Sequence, residues 1–253
     1  MLDVHPPHHT PNTWRDFFLH IATIVIGLLI AIGLEQSVEA IHHHHQRHQL
    51  EDQMLSVLDA NLALVSDDTR QITTFRGYLA ELQVAVGGRR HGKTVPAPAP
   101  NDPRMKTLPR LPTLAPYEAA QQNGTVAVLP DNEIRLYNRV AFQRTLLIAQ
   151  MQYWIRAIAA LESFQQRFVD SKGSTEFGRI VTTPNLDDLS PEELSEYQKL
   201  IATLIKETDI ILERLHIFDT QCHSILSGNR DENQLMKSLL DSNSSNPEPV
   251  THP

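Results

Sequence analysis

Residues 17–34 have the sequence FFLHIATIVIGLLIAIGL, eighteen positions without Asp, Glu, Lys or Arg. An α-helix rises 1.5 Å per residue, so this stretch would be about 27 Å long, close to the thickness of the hydrocarbon core of a bilayer. Trp14, Phe17 and Phe18 stand at its start, where aromatic side chains favour the boundary between lipid and water, and Glu35 marks the return to water. The stretch predicts a transmembrane helix with these four residues at the membrane interface.

Two other interpretations of the stretch fit its composition less well. A buried core helix of a soluble protein usually carries a polar stripe, and this stretch has none. A cleaved signal peptide has a shorter apolar region, about 7–15 residues, after a positively charged segment, whereas only Arg15 is basic before this one. We therefore expect an uncleaved signal-anchor. Arg15 and the terminal amine face only Arg47 on the other side, which favours an N-terminus inside and a domain outside the cytoplasm.

Small side chains recur every four residues within the stretch, at Thr23, Gly27 and Ala31. Small residues on one face allow two membrane helices to approach closely, so these three predict a helix–helix contact in the membrane and a homodimer. The alternative is that small residues are simply common in membrane helices.

The composition excludes several classes of protein. The formal charge of -8 disfavours nucleic-acid binding, which depends on Lys and Arg neutralising phosphates. The single cysteine, Cys222, excludes an intrachain disulfide and a Cys-rich metal site. The 253 residues are enough for one sizeable soluble domain beside the membrane segment. The expected partners are the lipid bilayer, which the apolar stretch implies, and a second copy of the chain or another membrane or envelope protein.

The chain beyond the membrane segment predicts helices separated by a Pro-rich linker. Residues 35–88 contain no proline and form a juxtamembrane helix or stalk that Gly87 and Gly88 should end. Its apolar residues step by three and four with polar interruptions, which suits a helix packed on neighbours better than a free-standing coiled coil. The apolar positions are Leu55, Leu58, Leu62, Val65, Ile72, Leu79 and Val86, and the interruptions are Thr69, Arg76 and Gln83.

Residues 89–116 form the linker, with seven prolines between positions 95 and 116. Proline blocks regular helix and favours extended chain, so we expect a spacer or a surface-wrapping loop. The PxxP spacing at residues 109–112 would also suit a docking ligand.

Residues 117–228 predict a helical bundle domain. A short helix at 117–122 should end at Asn123-Gly124, and a long helix should begin at Asp131 and run to about residue 170. The sequence Ser-Pro-Glu-Glu at 190–193 is a helix-start signature, and the helix that follows should end at Gly228. Together with the stalk, these helices make three long amphipathic helices, which predict an all-α fold in the form of an antiparallel bundle. We expect a polar His/Pro-rich cap at 1–16 before the transmembrane helix and a largely disordered tail at 229–253 after the bundle.

The predicted core face of the long helix from Asp131 consists of Ile134, Tyr137, Val140, Ala141, Ile148, Met151, Ile155, Ile158 and Leu161, enlarged by Trp154, Phe164 and Phe168.

Histidines border the membrane segment, at 42–45 and at 48. On a helix, His44 and His48 share a face at the i, i+4 spacing that can chelate a transition metal, but no carboxylate or cysteine completes a site. They are therefore weak candidates, and we predict no metal site and no cofactor. The other interpretations are a pH-responsive collar and a polar border between lipid and water.

Signatures of enzymes are missing from the sequence, including a phosphate-binding Gly-rich loop, HExxH and G-x-S-x-G. His223 follows Cys222 directly and so points about 100° away from it on a helix, which favours a buried structural thiol over a nucleophile with its base. We predict no catalytic residue.

The N-terminal sequence DVHPPHHTPNTWRDFFLHIATIVIGLLIAIGLEQSVEAIHHHH resembles the opening of a group of uncharacterised bacterial single-pass membrane proteins. The sequence YEAAQQNG at 117–124 and the following residues 126–137 resemble a second recurring stretch of that group. The resemblance implies a membrane-anchored bacterial protein and carries over no catalytic residue. We expect a non-enzymatic helical module that binds a partner or scaffolds the envelope. The alternative is a His-rich metal-handling protein or an unrecognised membrane-tethered enzyme.

Overall fold

The computed structural model describes residues 14–99, 102–105, 109–168 and 183–228. Its four α-helices are α1 (Trp14–Arg90), α2 (Ala115–Asn123), α3 (Asp131–Gln166) and α4 (Pro191–Leu226), with 3-10 helices at Pro103–Met105, Thr125–Val128 and Leu186–Asp188. All regular structure in these described ranges is helical, which confirms the predicted all-α class. Most of the predicted cap at 1–16 and all of the predicted tail at 229–253 lie outside the described residues.

The chain divides into two compact units, Met1–Glu51 and Asp52–Pro253. The described part of the first unit is the beginning of α1. The second unit holds the rest of α1, the Pro-rich segment, α2, α3 and α4. The boundaries predicted at 88/89 and 116/117 therefore fall inside one unit, because residues 52–90 supply a long helix of the bundle.

The buried face of α1 within the bundle follows alternating steps of four and three residues. Its members are Met54, Leu58, Asn61, Val65, Asp68, Ile72, Phe75, Leu79, Leu82 and Val86. Five of the predicted apolar positions are in this seam, but Leu55 and Leu62 are only half-buried. The predicted interruptions lie one residue beside the buried positions 68, 75 and 82, so the seam continues through them.

In the bundle, α4 runs in the opposite direction to both α1 and α3. The polar contacts that establish this join Arg76 to Asp209 and Arg90 to Gln198 between α1 and α4, and Gln150 to Glu207 and Gln165 to Tyr197 between α3 and α4. In each set the α4 number falls as the other number rises, so α4 is antiparallel to both partners. The bundle part of α1 and α3 are consequently parallel, and the chain between them must return along the bundle.

The Pro-rich segment makes that return along α1. Asn61 donates from Nδ2 to the carbonyl oxygen of Thr113 at 2.8 Å and accepts from its N–H at 3.1 Å, while the N–H of Arg110 donates to Asp68 Oδ2 at 2.7 Å. From Asp68 back to Asn61 a helix covers about 10 Å at 1.5 Å per residue. The three steps from Arg110 to Thr113 cover about the same 10 Å only if the chain is extended. The segment is a surface-wrapping loop that runs antiparallel to α1.

The PxxP stretch is part of this wrapped segment. Arg144 of α3 donates from Nε to the carbonyl oxygen of Pro112 at 2.6 Å and from Nη1 to Glu118 Oε1 at 2.7 Å. The stretch is thus engaged by the chain's own helices α1 and α3.

Trp154 lies at the centre of the core and is fully buried. Its indole Nε1 donates to Thr208 Oγ1 at 3.0 Å, and Thr208 donates in turn to the carbonyl oxygen of Leu204 at 2.6 Å. The ring of Phe75 meets Trp154 edge-on at 5.8 Å between centroids. Phe75 of α1, Trp154 of α3 and Thr208 of α4 therefore meet in the core, and the polar side-chain groups of Trp154 and Thr208 are hydrogen-bonded.

The predicted core face of α3 is wrong at Ile155, which is 46% exposed. Ile155 points about 100° away from the buried Trp154 around the helix, toward the side that α3 leaves exposed. The face instead includes Leu136, Leu147 and Ala157, which the sequence analysis missed.

The helix signals predicted at Ser190, Gly124 and Gly228 agree with the structure, whereas α3 ends at Gln166, before the predicted end near residue 170. Ser190 caps α4 reciprocally with Glu193, through N–H donation to Glu193 Oε2 at 2.8 Å and from Glu193 N–H to Ser190 Oγ at 3.2 Å. Gly124 and Gly228 follow α2 and α4 with positive φ values of 79° and 82°, as predicted. The predicted stop at Gly87-Gly88 is wrong, because α1 continues to Arg90 and the left-handed residue is Gly92, with φ 71°.

Candidate functional site: the exposed apolar helix and its histidine border

The apolar stretch of α1 in the first unit is exposed on all sides of the helix. The large apolar side chains of residues 17–34 are between 42% and 67% exposed, and none of the most apolar window is buried. By length and composition α1 is able to cross a membrane. Burying a large apolar side chain is favourable by about 1.5–3 kcal/mol, so twelve half-exposed ones leave roughly 10–20 kcal/mol unrealised in water.

The predicted interface aromatics meet at the start of this helix. The rings of Trp14, Phe17 and Phe18 lie 5.8–6.0 Å apart between centroids, and Trp14 is 76% exposed. Glu35 is exposed at the other end of the apolar stretch. The structure therefore brings three of the four predicted interface residues together and places the fourth at the opposite end.

Hydroxyl groups in and after the stretch bond to the helix itself. Thr23 Oγ1 donates to the carbonyl oxygen of Leu19 at 2.9 Å, and Ser37 Oγ donates to that of Gly33 at 2.7 Å. A hydroxyl satisfied in this way needs no water, which lowers the cost of placing it in hydrocarbon.

The small residues Thr23, Gly27 and Ala31 are all exposed. A Cβ atom added at Gly27 would meet nothing within 4 Å. The three positions share an open face of the helix, and their contact with a second copy stays a prediction.

The two histidines of the predicted pair, within the histidine border at residues 42–45 and 48, lie in contact. His44 Nε2 and His48 Nε2 are 3.1 Å apart, with ring centroids at 4.3 Å and ring planes at 88°. Glu51 approaches from the next turn, with Oε2 3.6 Å from His48 Nδ1, and Arg47 donates from Nε to Glu51 Oε1 at 2.7 Å. Sequence reasoning missed Glu51 and Arg47, although the steps from 44 to 47, 48 and 51 mark one helix face.

A complete metal site is a different matter. Across the described ranges, no group of three or more His, Cys, Asp or Glu side chains is placed to hold an ion.

Cys222 is fully buried in α4, and burial raises the pKa of its thiol to about 12. His223 turns away from it: its side chain is 67% exposed and its Nε2 lies 3.9 Å from Asp219 Oδ2. The predicted structural role of the thiol is therefore favoured by its surroundings. A thiol held protonated in this way is a poor nucleophile.

The core contains a small cavity of about 20 Å³, lined by residues from all three long helices and by Met105. One water molecule needs about 10–15 Å³ of such space, so this cavity has room for a single water molecule and none for a substrate.

Comparisons with protein-family models, with curated proteins and with solved structures return no match.

Proposed function

We propose that the chain is a membrane-anchored, non-enzymatic helical module that binds a partner or scaffolds an assembly in the bacterial envelope. The observation that carries the proposal is that none of the apolar stretch at 17–34 is buried, whereas the apolar stripes of the bundle are buried. Lipid is the solvent that fits a helix apolar on every side.

The bundle supports a role in binding or scaffolding more than one in chemistry. Its central polar groups, such as Trp154 Nε1 and Thr208 Oγ1, are used in holding the helices together. The wrapped segment adds a second layer over α1 through Asn61 and Asp68. A bundle whose helices are joined by such contacts, on a transmembrane anchor, suits a module that presents a surface.

Partner binding is tested by chemical crosslinking in native membranes followed by purification of the full chain. The expected result is a specific adduct, either with a second copy or with another envelope protein. Recovery of neither would count decisively against the module.

Self-association through the small-residue face has a matched pair of variants. Gly27→Ile fills that face, whereas Gly33→Ile adds the same side chain at another exposed glycine about 240° around the helix. We expect crosslinked dimer to disappear in Gly27→Ile and to persist in Gly33→Ile. Equal dimer yields in both variants would exclude this contact.

The proposed orientation places the bundle outside the cytoplasm, in the periplasm. The native chain is its own blank for cysteine labelling, because its single thiol, Cys222, is buried. Ser66→Cys adds a thiol at an exposed position of the bundle part of α1. A membrane-impermeant maleimide applied to cells with a permeabilised outer membrane should label Ser66→Cys and leave the native chain unlabelled. Labelling only after lysis of the inner membrane would place the bundle in the cytoplasm.

A further inference from the structure

His44 and His48 are held with their ring nitrogens facing each other on one side of α1, one turn apart. Both side chains are exposed, so an ion can reach them from water. We propose that the pair is a bidentate site for a first-row divalent transition-metal ion, with Cu²⁺ bound more tightly than Ni²⁺ or Zn²⁺ and water in the remaining coordination positions.

The distance between the two nitrogens fits one ion. Metal–nitrogen bonds to histidine are about 2.0–2.1 Å long, so two Nε2 atoms 3.1 Å apart would subtend an angle of about 98° at a shared ion. That angle lies between the right angle of square-planar Cu²⁺ or Ni²⁺ and the tetrahedral angle of Zn²⁺. At present the contact has the geometry of a hydrogen bond between the rings, which needs a proton on one Nε2. The ion takes the place of that proton, and rotation about the Cβ–Cγ bonds aims both lone pairs at it.

The surroundings of His48 supply a second, independent observation. A metal-bound histidine usually turns its other ring nitrogen, as N–H, toward a carboxylate, which fixes the ring and makes it a better ligand. Glu51 Oε2 stands 3.6 Å from His48 Nδ1, and Arg47 holds the other oxygen of Glu51 on this face at 2.7 Å. With Nε2 on the ion, Nδ1 is the protonated nitrogen, so the carboxylate is on the correct side of the ring.

The neighbouring histidines lack this arrangement. His42 Nε2 contacts the side-chain amide of Gln46 at 2.9 Å. Four residues after His43 and His45 come Arg47 and Gln49, neither of which is a metal ligand of comparable strength. His43 and His45 therefore provide a control that removes the same number of imidazoles from the same helix and leaves the pair in place.

Isothermal titration of the full-length protein in detergent micelles, purified without a polyhistidine tag, tests the site with CuCl₂, NiCl₂ and ZnCl₂. We expect His44→Ala/His48→Ala to lose one binding event that His43→Ala/His45→Ala retains. The electron paramagnetic resonance spectrum of the Cu²⁺ complex should show coupling to two nitrogens in the control and lose it in the pair variant. Alanine is the best helix former, so neither variant endangers the helix.

Glu51→Gln separates the pair from its support. We expect the binding event to survive with an affinity lower by about 10- to 100-fold, the usual loss when the partner of a metal-bound histidine is removed. The proposal is overturned if the pair variant and the control variant bind the ions equally. Membrane fractionation of the same variants reports on the anchor separately, because no residue of 17–34 is changed.

Discussion

Two lysines in the middle of the apolar stretch distinguish a helix solvated by lipid from one solvated by water. Ile26 and Ile30 lie near its centre, and their side chains are 57% and 58% exposed. If water surrounds the helix, Ile26→Lys/Ile30→Lys puts charged groups where they are well hydrated and changes stability by no more than about 0.5 kcal/mol per site. If lipid surrounds it, both charges lie at the depth where they are least tolerated.

The magnitude follows from insertion energies. Each large apolar residue favours insertion by about 0.3–0.6 kcal/mol, so the twelve in residues 17–34 contribute roughly 4–7 kcal/mol in total. One lysine at the centre costs about 2.5–3.5 kcal/mol, and the isoleucine it replaces is lost as well, so two substitutions cost about 6–8 kcal/mol. That is as much as the whole apolar stretch supplies. Insertion of the double variant should fail, whereas a single substitution should only weaken it.

The assay is the division of the full-length protein between pellet and supernatant after alkaline carbonate washing of membranes. We expect the native chain in the pellet and Ile26→Lys/Ile30→Lys in the supernatant. The matched control, Val84→Lys/Phe142→Lys, places the same charges at exposed apolar positions of the bundle, 62% and 58% exposed, and should stay in the pellet. A native chain that carbonate releases, or a double variant retained as firmly as the control, refutes the reasoning.

Three further predictions concern the bundle. Ser190→Ala removes the reciprocal cap of α4 and should lower the free energy of unfolding by about 1 kcal/mol, seen as a lower urea midpoint; an unchanged midpoint would contradict the cap's role. Burial raises the pKa of the Asp68 carboxyl above its usual range, although the neighbouring Arg110 lowers it in part. Protonation of Asp68 therefore stabilises the folded state fully below a pH of about 3.9, and this contribution is lost as pH rises through the raised pKa. Asp68→Asn should remove this component from the pH dependence of the urea midpoint, and an identical pH profile in the variant would show that Asp68 does not titrate there. The thiol of Cys222, whose pKa burial raises to about 12, should resist alkylation at a pH of about 8 until urea unfolds the bundle, and rapid native labelling would show an open core.

The parts of the fold that the sequence predicted are those with a local cause. The cap at Ser190 needs only residues three positions apart, and the stops at Gly124 and Gly228 need only one residue able to adopt positive φ. The apolar stretch at 17–34 is likewise defined by its own composition. The histidine pair belongs here too, since its i, i+4 spacing is visible in the sequence, although the distance between the rings is not.

The parts that the sequence did not predict depend on residues far away in the chain. Gly87-Gly88 has the composition of a helix stop, but α1 passes through it. A Cβ atom at Gly88 would lie 2.6 Å from Val95 Cγ2, so this glycine makes room for the returning chain rather than ending the helix. Nothing within a window of a few residues separates these two uses of glycine.

The sequence predicts the order of the three- and four-residue steps along α1 incorrectly, and two buried polar residues account for part of this error. Asn61 and Asp68 occupy buried positions at which a pattern of apolar residues expects Leu or Val. A buried polar side chain is destabilising unless it is hydrogen-bonded, and the backbone of an extended Pro-rich segment has polar groups that no sheet or helix satisfies. Asn61 bonds both polar groups of Thr113, and Asp68 accepts from the N–H of Arg110. Each side thus meets the other's polar groups, and these two residues hold the returning segment in register along the buried face of α1.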